Sequence, residues 1–287
     1  MVVHSIAQQG FGVGTNEVYD RARPSYQPAV LSHIRQSINT KDQLNIVEIG
    51  AGTGIFTRAL IAHPDWSLSI AEIRAVEPSA GMRAQFNKTV IHPQSNANIK
   101  ISVKDGSFTE TGIEEGWADM VIIAQAYHWA HPAYDAASAE FARILKPIGG
   151  VVVYVWNLED QGSAKWIASL RSLYEKYEGN SPQFRLGQWR VTFDPEICPG
   201  SAQLFEKPVE DTFEWVMPTT VEDVVERMMS KSYIAVLESE KKEEHEKLVQ
   251  RAKELLGRED MEKNWIGKEK GVFEYPYKTT LIIARKK

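Results

Sequence analysis

Gly50, Gly52 and Gly54 stand between a β-branched run (Ile46, Val47, Ile49) and a helical pattern (Phe56, Leu60, Ile61), within the segment 47–57 reading Val-Glu-Ile-Gly-Ala-Gly-Thr-Gly-Ile-Phe-Thr. Glycines carry no Cβ, so such a turn brings backbone amides and a helix N-terminus up against a ligand. The same turn also occurs as a purely structural connection. A dinucleotide fingerprint needs its third glycine where Ile55 stands, and the Gly-Lys-Ser/Thr of a phosphate loop is missing. Glu77 ends the next apolar run, where a carboxylate can accept from two vicinal ribose hydroxyls. The plain alternative is a solvated strand-end acid. Asp105, followed by Gly106, Ser107 and Phe108, is either a turn residue or an acceptor for an adenine amino group, with Phe108 against the ring. His128 lies just past the fourth apolar run. An imidazole of ordinary pKa takes protons at neutral pH, so His128 reads either as a general base or as a structural residue clamped between Tyr127 and Trp129.

Other signals carry little weight. His128 and His131 have no third ligand nearby, so no metal is expected, and His245-Glu246 lacks the second histidine of a zinc protease helix. The Lys and Glu run over 241–247 reads as the wet face of a helix.

The elements that must position these residues alternate. Apolar runs over 46–49, 70–76, 99–103, 119–125 and 151–156 are separated by helical patterns, including 81–88 and 134–145. This alternation predicts a doubly wound, mostly parallel α/β sheet. Beyond residue 157 the regularity stops. Helices are expected over 162–176, near 221–229 and over 238–256, a strand over 204–216, and a last strand over 277–284. Thr219 and Glu222 have capping-box spacing.

Composition bounds the class. The 287 residues are 43% hydrophobic and 25% charged, which suits a buried core and excludes disordered or collagen-like chains. No apolar run approaches the roughly 20 residues of a membrane helix. A net charge of -5 and a pI near 5.9 argue against a nucleic acid partner. The lone Cys198 and the uncharged start over residues 1–9 lead us to expect a cytoplasmic location.

With the glycine turn, Glu77, Asp105 and the strand at Asp119, the segment 44–156 resembles class I S-adenosylmethionine-dependent methyltransferases. Tyr19-Asp-Arg-Ala-Arg-Pro-Ser-Tyr26, Gln125-Ala-Tyr-His-Trp129 and Ser230-Lys-Ser-Tyr-Ile-Ala-Val-Leu237 extend the resemblance to a fungal and bacterial small-molecule group related to trans-aconitate methyltransferases. The resemblance implies that Gly50, Ala51, Gly52, Thr53 and Gly54 line the methionine part of S-adenosylmethionine. Glu77, Pro78 and Ser79 would hold the ribose, and Met82 would pack beside the adenine. Asp105, Gly106, Ser107 and Phe108 would frame the base, while Gln125 and Ala126 would border the sulfonium. Tyr19, Arg23 and Tyr26 would form an N-terminal lid, with Arg23 either on the cofactor carboxylate or simply a surface arginine. Tyr26, Trp129, Trp156, Trp189 and Tyr233 are expected either as substrate-pocket walls or as ordinary core.

The expected architecture is therefore a seven-stranded Rossmann-like sheet. Residues 1–43 would form the lid and first helix, 44–156 the cofactor core, 157–271 a cap with one strand, and 272–287 the final antiparallel strand. The expected activity is methyl transfer to an oxygen of a small molecule, releasing S-adenosylhomocysteine, in a monomer or homodimer. Transfer to nitrogen or sulfur, a non-catalytic cofactor-binding protein and a nicotinamide oxidoreductase are the rivals.

Overall fold

The computed structural model describes residues 16–39, 43–93 and 99–287. Residues 1–9, read above for their uncharged start, lie outside these.

The central strand β1 (Leu44–Ile49) alternates its side chains between two cores. Ile46 joins a cluster with Met120, Ile122, Phe56, Leu60 and Trp66 on one face. Val47 and Ile49 join Val121, Ile123, Tyr127 and Phe141 on the other. Burial on both faces is what a parallel strand covered by helices requires, and it explains the unbroken apolar runs. Strands β2 (Ile70–Val76) and β3 (Lys100–Lys104) extend the sheet to one side of β1; β4 (Met120–Ala124) and β5 (Val151–Glu159) extend it to the other. All these pairings are parallel. Strand order thus reverses between β1 and β4, and a crevice opens at their carboxyl ends.

Among the described residues, the helices of this half of the sheet include α1 (Asn16–Ala22), α2 (Pro28–Gln36), α3 (Ile55–Ala62), α4 (Ala80–Phe86) and α5 (Tyr134–Ile144). Strand β6 (Val209–Thr219) lies at the far edge of the sheet. It and β5 each pair antiparallel with β8 (Val272–Arg285), while a short β7 (Trp265–Gly267) pairs β8 off the main path.

The chain beyond β5 departs from the expected boundaries in instructive ways. Strand β5 runs three residues past Trp156, to Glu159, and β8 starts at Val272, the start expected for the final antiparallel strand and five residues before the apolar run over 277–284. The first part of β8 carries Phe273, Tyr275 and Tyr277, which pack beneath α6 (Lys165–Tyr174), α7 (Val221–Met229), α8 (Ser232–Glu240) and α9 (Lys242–Gly257) as a separate core. Strand β6 begins at Val209, not Leu204. The capping box belongs to Thr220 and Asp223, one residue later than expected, because Thr219 still pairs with Phe273 in the sheet. The helix expected over 238–256 is broken at Lys241, where the backbone leaves helical geometry. Among the described residues no helix is long and apolar enough to cross a membrane.

Candidate active site

The glycine turn follows β1 at the crevice. All three glycines adopt positive φ: +71° at Gly50, +57° at Gly52 and +83° at Gly54. A Cβ on Gly50 would fall 2.6 Å from Cβ of Ala126, and one on Gly54 would fall 2.4 Å from Cγ2 of Val90. A Cβ on Gly52 would meet nothing within 4 Å. Gly50 and Gly54 are therefore glycines for packing, whereas Gly52 faces open space. That space is a chamber lined by the turn together with Tyr19, Arg23, Tyr26, Glu48 and Gln125.

Glu77, just past β2, is buried beside the turn. Its Oε2 accepts from the Gly52 amide at 2.9 Å and its Oε1 from the Ser79 amide at 2.8 Å. Burial raises its pKa, and the two amides partly offset this. Ser79 caps α4 by accepting from the Met82 amide, and the Met82 side chain is buried. Arg83, which sequence reasoning overlooked, donates to the carbonyls of Glu77 and Pro78 and pairs with Asp105 at 3.1 Å, tying the ends of β2 and β3 together. The Asp105 side chain stays largely exposed. Gly106 is pressed against Val76, Ser107 opens a tight turn to Glu110, and the Phe108 ring lies in the core edge-on to Tyr127. Helix α1 is strapped over the turn: Asp20 accepts from Thr53 Oγ1 at 2.5 Å and from Arg58 at 2.6 Å.

Gln125 joins this chamber to a second one. It has φ +60°, a left-handed conformation that costs a non-glycine residue about 1 kcal/mol. Its Nε2 donates to the Asn157 carbonyl at 2.6 Å, and Asn157 in turn accepts from Thr279. Tyr19 and Arg23 also line both chambers.

The second chamber lies under the cap and is lined by His128, Trp129, Tyr174, Arg227, Lys231 and Tyr233, among others. His128 sits in the short helical turn Tyr127–Ala130 and is buried. Burial, reinforced by Arg23, lowers its pKa to about 3, and its Nδ1 accepts from Trp156 Nε1 at 3.4 Å. Two expected pocket walls are corrected here. Trp156 and Trp189 are buried in the core with centroids 4.5 Å apart and tilted rings, and each stacks on Phe184, whose ring stands between them and the chamber lining. Tyr26 lines the first chamber and packs on Phe56.

The cap brings charge into this chamber that no motif announced. Glu159, at the end of β5, is fully buried; Arg227 Nη2 reaches its Oε1 at 2.8 Å and Lys231 Nζ at 3.2 Å. Burial alone would raise the Glu159 pKa, and the two cations reverse that to well below the usual carboxylate range. Burial pushes Lys231 down to about 7 despite Glu159. Arg23 donates to the hydroxyl and the carbonyl of Ser230 at 3.1 and 2.9 Å, linking the segment after α1 to the same cap turn. Of these charges, Arg23 and Lys231 lie inside the quoted 19–26 and 230–237 motifs, whereas Glu159 and Arg227 left no trace in the sequence. Among the described residues no group of three or more His, Cys, Asp or Glu side chains could hold a metal ion.

Comparison with known proteins gives this geometry a family. A methyltransferase-domain profile matches residues 47–153, the stretch that holds the glycine turn, Glu77, Asp105 and Gln125. An uncharacterized methyltransferase-like protein of Schizosaccharomyces pombe is 30% identical over 239 residues, 83% of this chain and 84% of that protein. A second uncharacterized methyltransferase of the same organism is 28% identical over 225 residues, 78% of this chain and 80% of that protein. The YcgJ protein of Bacillus subtilis shares the fold, with a TM-score of 0.53 at 15% identity over 91% of this chain and 99% of that one. Sheet order, glycine turn and relatives agree, and the chain belongs to the class I S-adenosylmethionine-dependent methyltransferases.

Proposed function

We propose that the enzyme methylates an oxygen atom of a small organic molecule, held in the cap chamber while the cofactor occupies the chamber beside the glycine turn. The observation that carries this reading is that the two chambers meet at Tyr19, Arg23 and Gln125. Open space over Gly52 and the buried Glu77 carboxylate fit the cofactor. In this reading Gly50, Ala51, Gly52, Thr53 and Gly54 surround its methionine end. Glu77, Pro78 and Ser79 take the ribose, Met82 and Asp105 to Phe108 the base, and Gln125 and Ala126 the sulfonium. Bound there, S-adenosylmethionine supplies an electrophilic methyl group.

The chain's own contribution is orientation and exclusion of water. Lowered to a pKa of about 3, His128 is neutral and a weak proton acceptor, so it serves better to orient the acceptor than to deprotonate it. Arg227 and Lys231 in the lining repel a protonated amine and favour an anionic oxygen. Incubating the purified protein with labelled S-adenosylmethionine and metabolite extracts tests the proposal. Label is expected in small, base-labile esters or in ethers. Label only in protein or RNA, or cofactor binding with no transfer across a broad acceptor panel, would refute it.

A further inference from the structure

We infer that Lys231 is the proton acceptor of the reaction, and that the methyl acceptor is an aromatic hydroxyl held in the cap chamber with its O–H against the Lys231 amine. The inference deepens the methyltransferase reading of the two chambers and rests on it.

The lining suits a ring. Tyr19, Trp129, Tyr174, Phe184 and Tyr233 all contribute to it. Aromatic walls bury a flat apolar group well, but an un-ionised hydroxyl on that group is a weak nucleophile. A phenol keeps its proton up to about pH 10 in water, so methylation at neutral pH calls for a base.

Geometry puts an amine near the place where a base is needed. The Asn157 carbonyl holds the Gln125 side chain where the chambers join, and Glu159 lies two residues further along β5, about 7 Å away. Lys231 Nζ reaches Glu159 Oε1 at 3.2 Å. Arg23, which lines both chambers, donates to Ser230, the residue before Lys231. The amine therefore stands beside the junction.

Its surroundings decide its protonation. Lys231 faces Glu159 from β5, Arg227 from α7, Arg23 from the segment after α1, and Arg171 and the Tyr174 ring from α6. Guanidiniums do not release protons, so Lys231 is the member of this cluster that can give up its charge. Burial, with three arginines outweighing the one carboxylate, lowers its pKa to about 7. Other groups of the lining fit the task less well. His128 is lowered to about 3, and burial keeps Tyr174 and Tyr233 protonated.

The step balances. Neutral Lys231 takes the hydroxyl proton onto its Nζ lone pair as the oxygen forms its bond to the methyl carbon. The carbon–sulfur bond breaks and its electron pair stays on sulfur. One positive charge leaves the sulfonium and one appears on Lys231, where Glu159 meets it, and the proton then passes to solvent.

Transfer from labelled S-adenosylmethionine by the full-length protein tests this, from about pH 6 to 9. The probes are phenol, 4-methylphenol and 2-naphthol, with benzoate and pentafluorophenol beside them. At least one of the three phenols is expected to be methylated, with kcat/KM rising through an inflection near pH 7. Pentafluorophenol is already ionised in this range and should show no such rise. Lys231→Met should lower kcat/KM on the accepted phenol by about 100-fold or more and remove the inflection. Lys231→Arg keeps the charge but takes no proton, so it should lose as much, whereas a residue that only balanced charge would tolerate it. Should Lys231→Met not fold, Lys231→Arg carries the test, and should neither fold, the contrast between the two pH profiles on the unaltered protein carries it. Four results overturn the inference: none of the three phenols is methylated, the phenol profile lacks the inflection, Lys231→Arg keeps the parental rate, or the variants lose as much on pentafluorophenol as on phenol. Transfer to benzoate alone overturns the inference and leaves the methyltransferase reading standing, while failure to bind S-adenosylhomocysteine overturns that reading itself.

Discussion

The indole Nε1–H of Trp156 donates to Nδ1 of His128 at 3.4 Å, which leaves the single proton of the neutral imidazole on Nε2. With burial holding the pKa at about 3, the ring presents a donor to the cap chamber and stays uncharged across the working pH range.

His128→Gln is therefore expected to keep activity within about tenfold, because the amide still donates. Loss of a true general base costs about 100- to 10,000-fold. The pH profile of kcat/KM should show no inflection that disappears in the variant. A loss beyond about 100-fold, with such an inflection removed, would restore His128 as the base.

Glu77→Gln leaves one of two half-buried amides, Gly52 or Ser79, without its acceptor. Stability should fall by about 1–2 kcal/mol, and affinity for S-adenosylhomocysteine by roughly tenfold or more. Denaturant melts and titration calorimetry separate the two effects. Unchanged affinity would remove Glu77 from the cofactor site.

Gly52 and Gly54 should fail in different ways. Alanine at Gly52 meets open space, so Gly52→Ala costs only about 1 kcal/mol of folding for its φ of +57° yet obstructs the first chamber and abolishes cofactor binding. Alanine at Gly54 would drive Cβ to 2.4 Å from Val90 and 2.8 Å from Phe86, costing roughly 2–5 kcal/mol of stability. Thermal unfolding with and without S-adenosylhomocysteine distinguishes them.

Glu48 offers a pH test. Burial, partly offset by Thr57 and Arg58, raises its carboxyl from 4.5 to about 8. A raised pKa favours the protonated folded state, so its contribution is complete below pH 4.5 and is lost as pH rises toward 8. The slope approaches about 1.4 kcal/mol per pH unit across that window. Glu48→Gln should stand increasingly above the parent in stability from pH 5 to 8, and urea melts at several pH values read the difference. A parallel pair of curves would show that Glu48 is ionised in the fold.

Much of the sheet was legible because local physics decides it. Runs such as Ile46, Val47 and Ile49 are apolar on both faces, as a covered parallel strand demands, and the glycine turn announces a sharp strand-to-helix connection. The capping box was misplaced by one residue because Thr219 and Thr220 present the same hydroxyl, and only the pairing of Thr219 with Phe273 shows which one still belongs to the strand.

The sequence by itself determined the β1–turn–α3 unit, the alternation of strands and helices, and the placement of Glu77 and Gln125 at strand ends, since these depend on neighbours within a few residues. Tertiary structure alone decided the rest. Trp156 and Trp189 became core because they meet Phe184 across a long connection, and no periodicity records on which side of a wall a ring will stop. Glu159, Arg227 and Lys231 look like solvated charges in a string of letters. Only the extension of β5 and the folding of the cap over β8 place them together out of water, where charge acquires its largest energetic consequences.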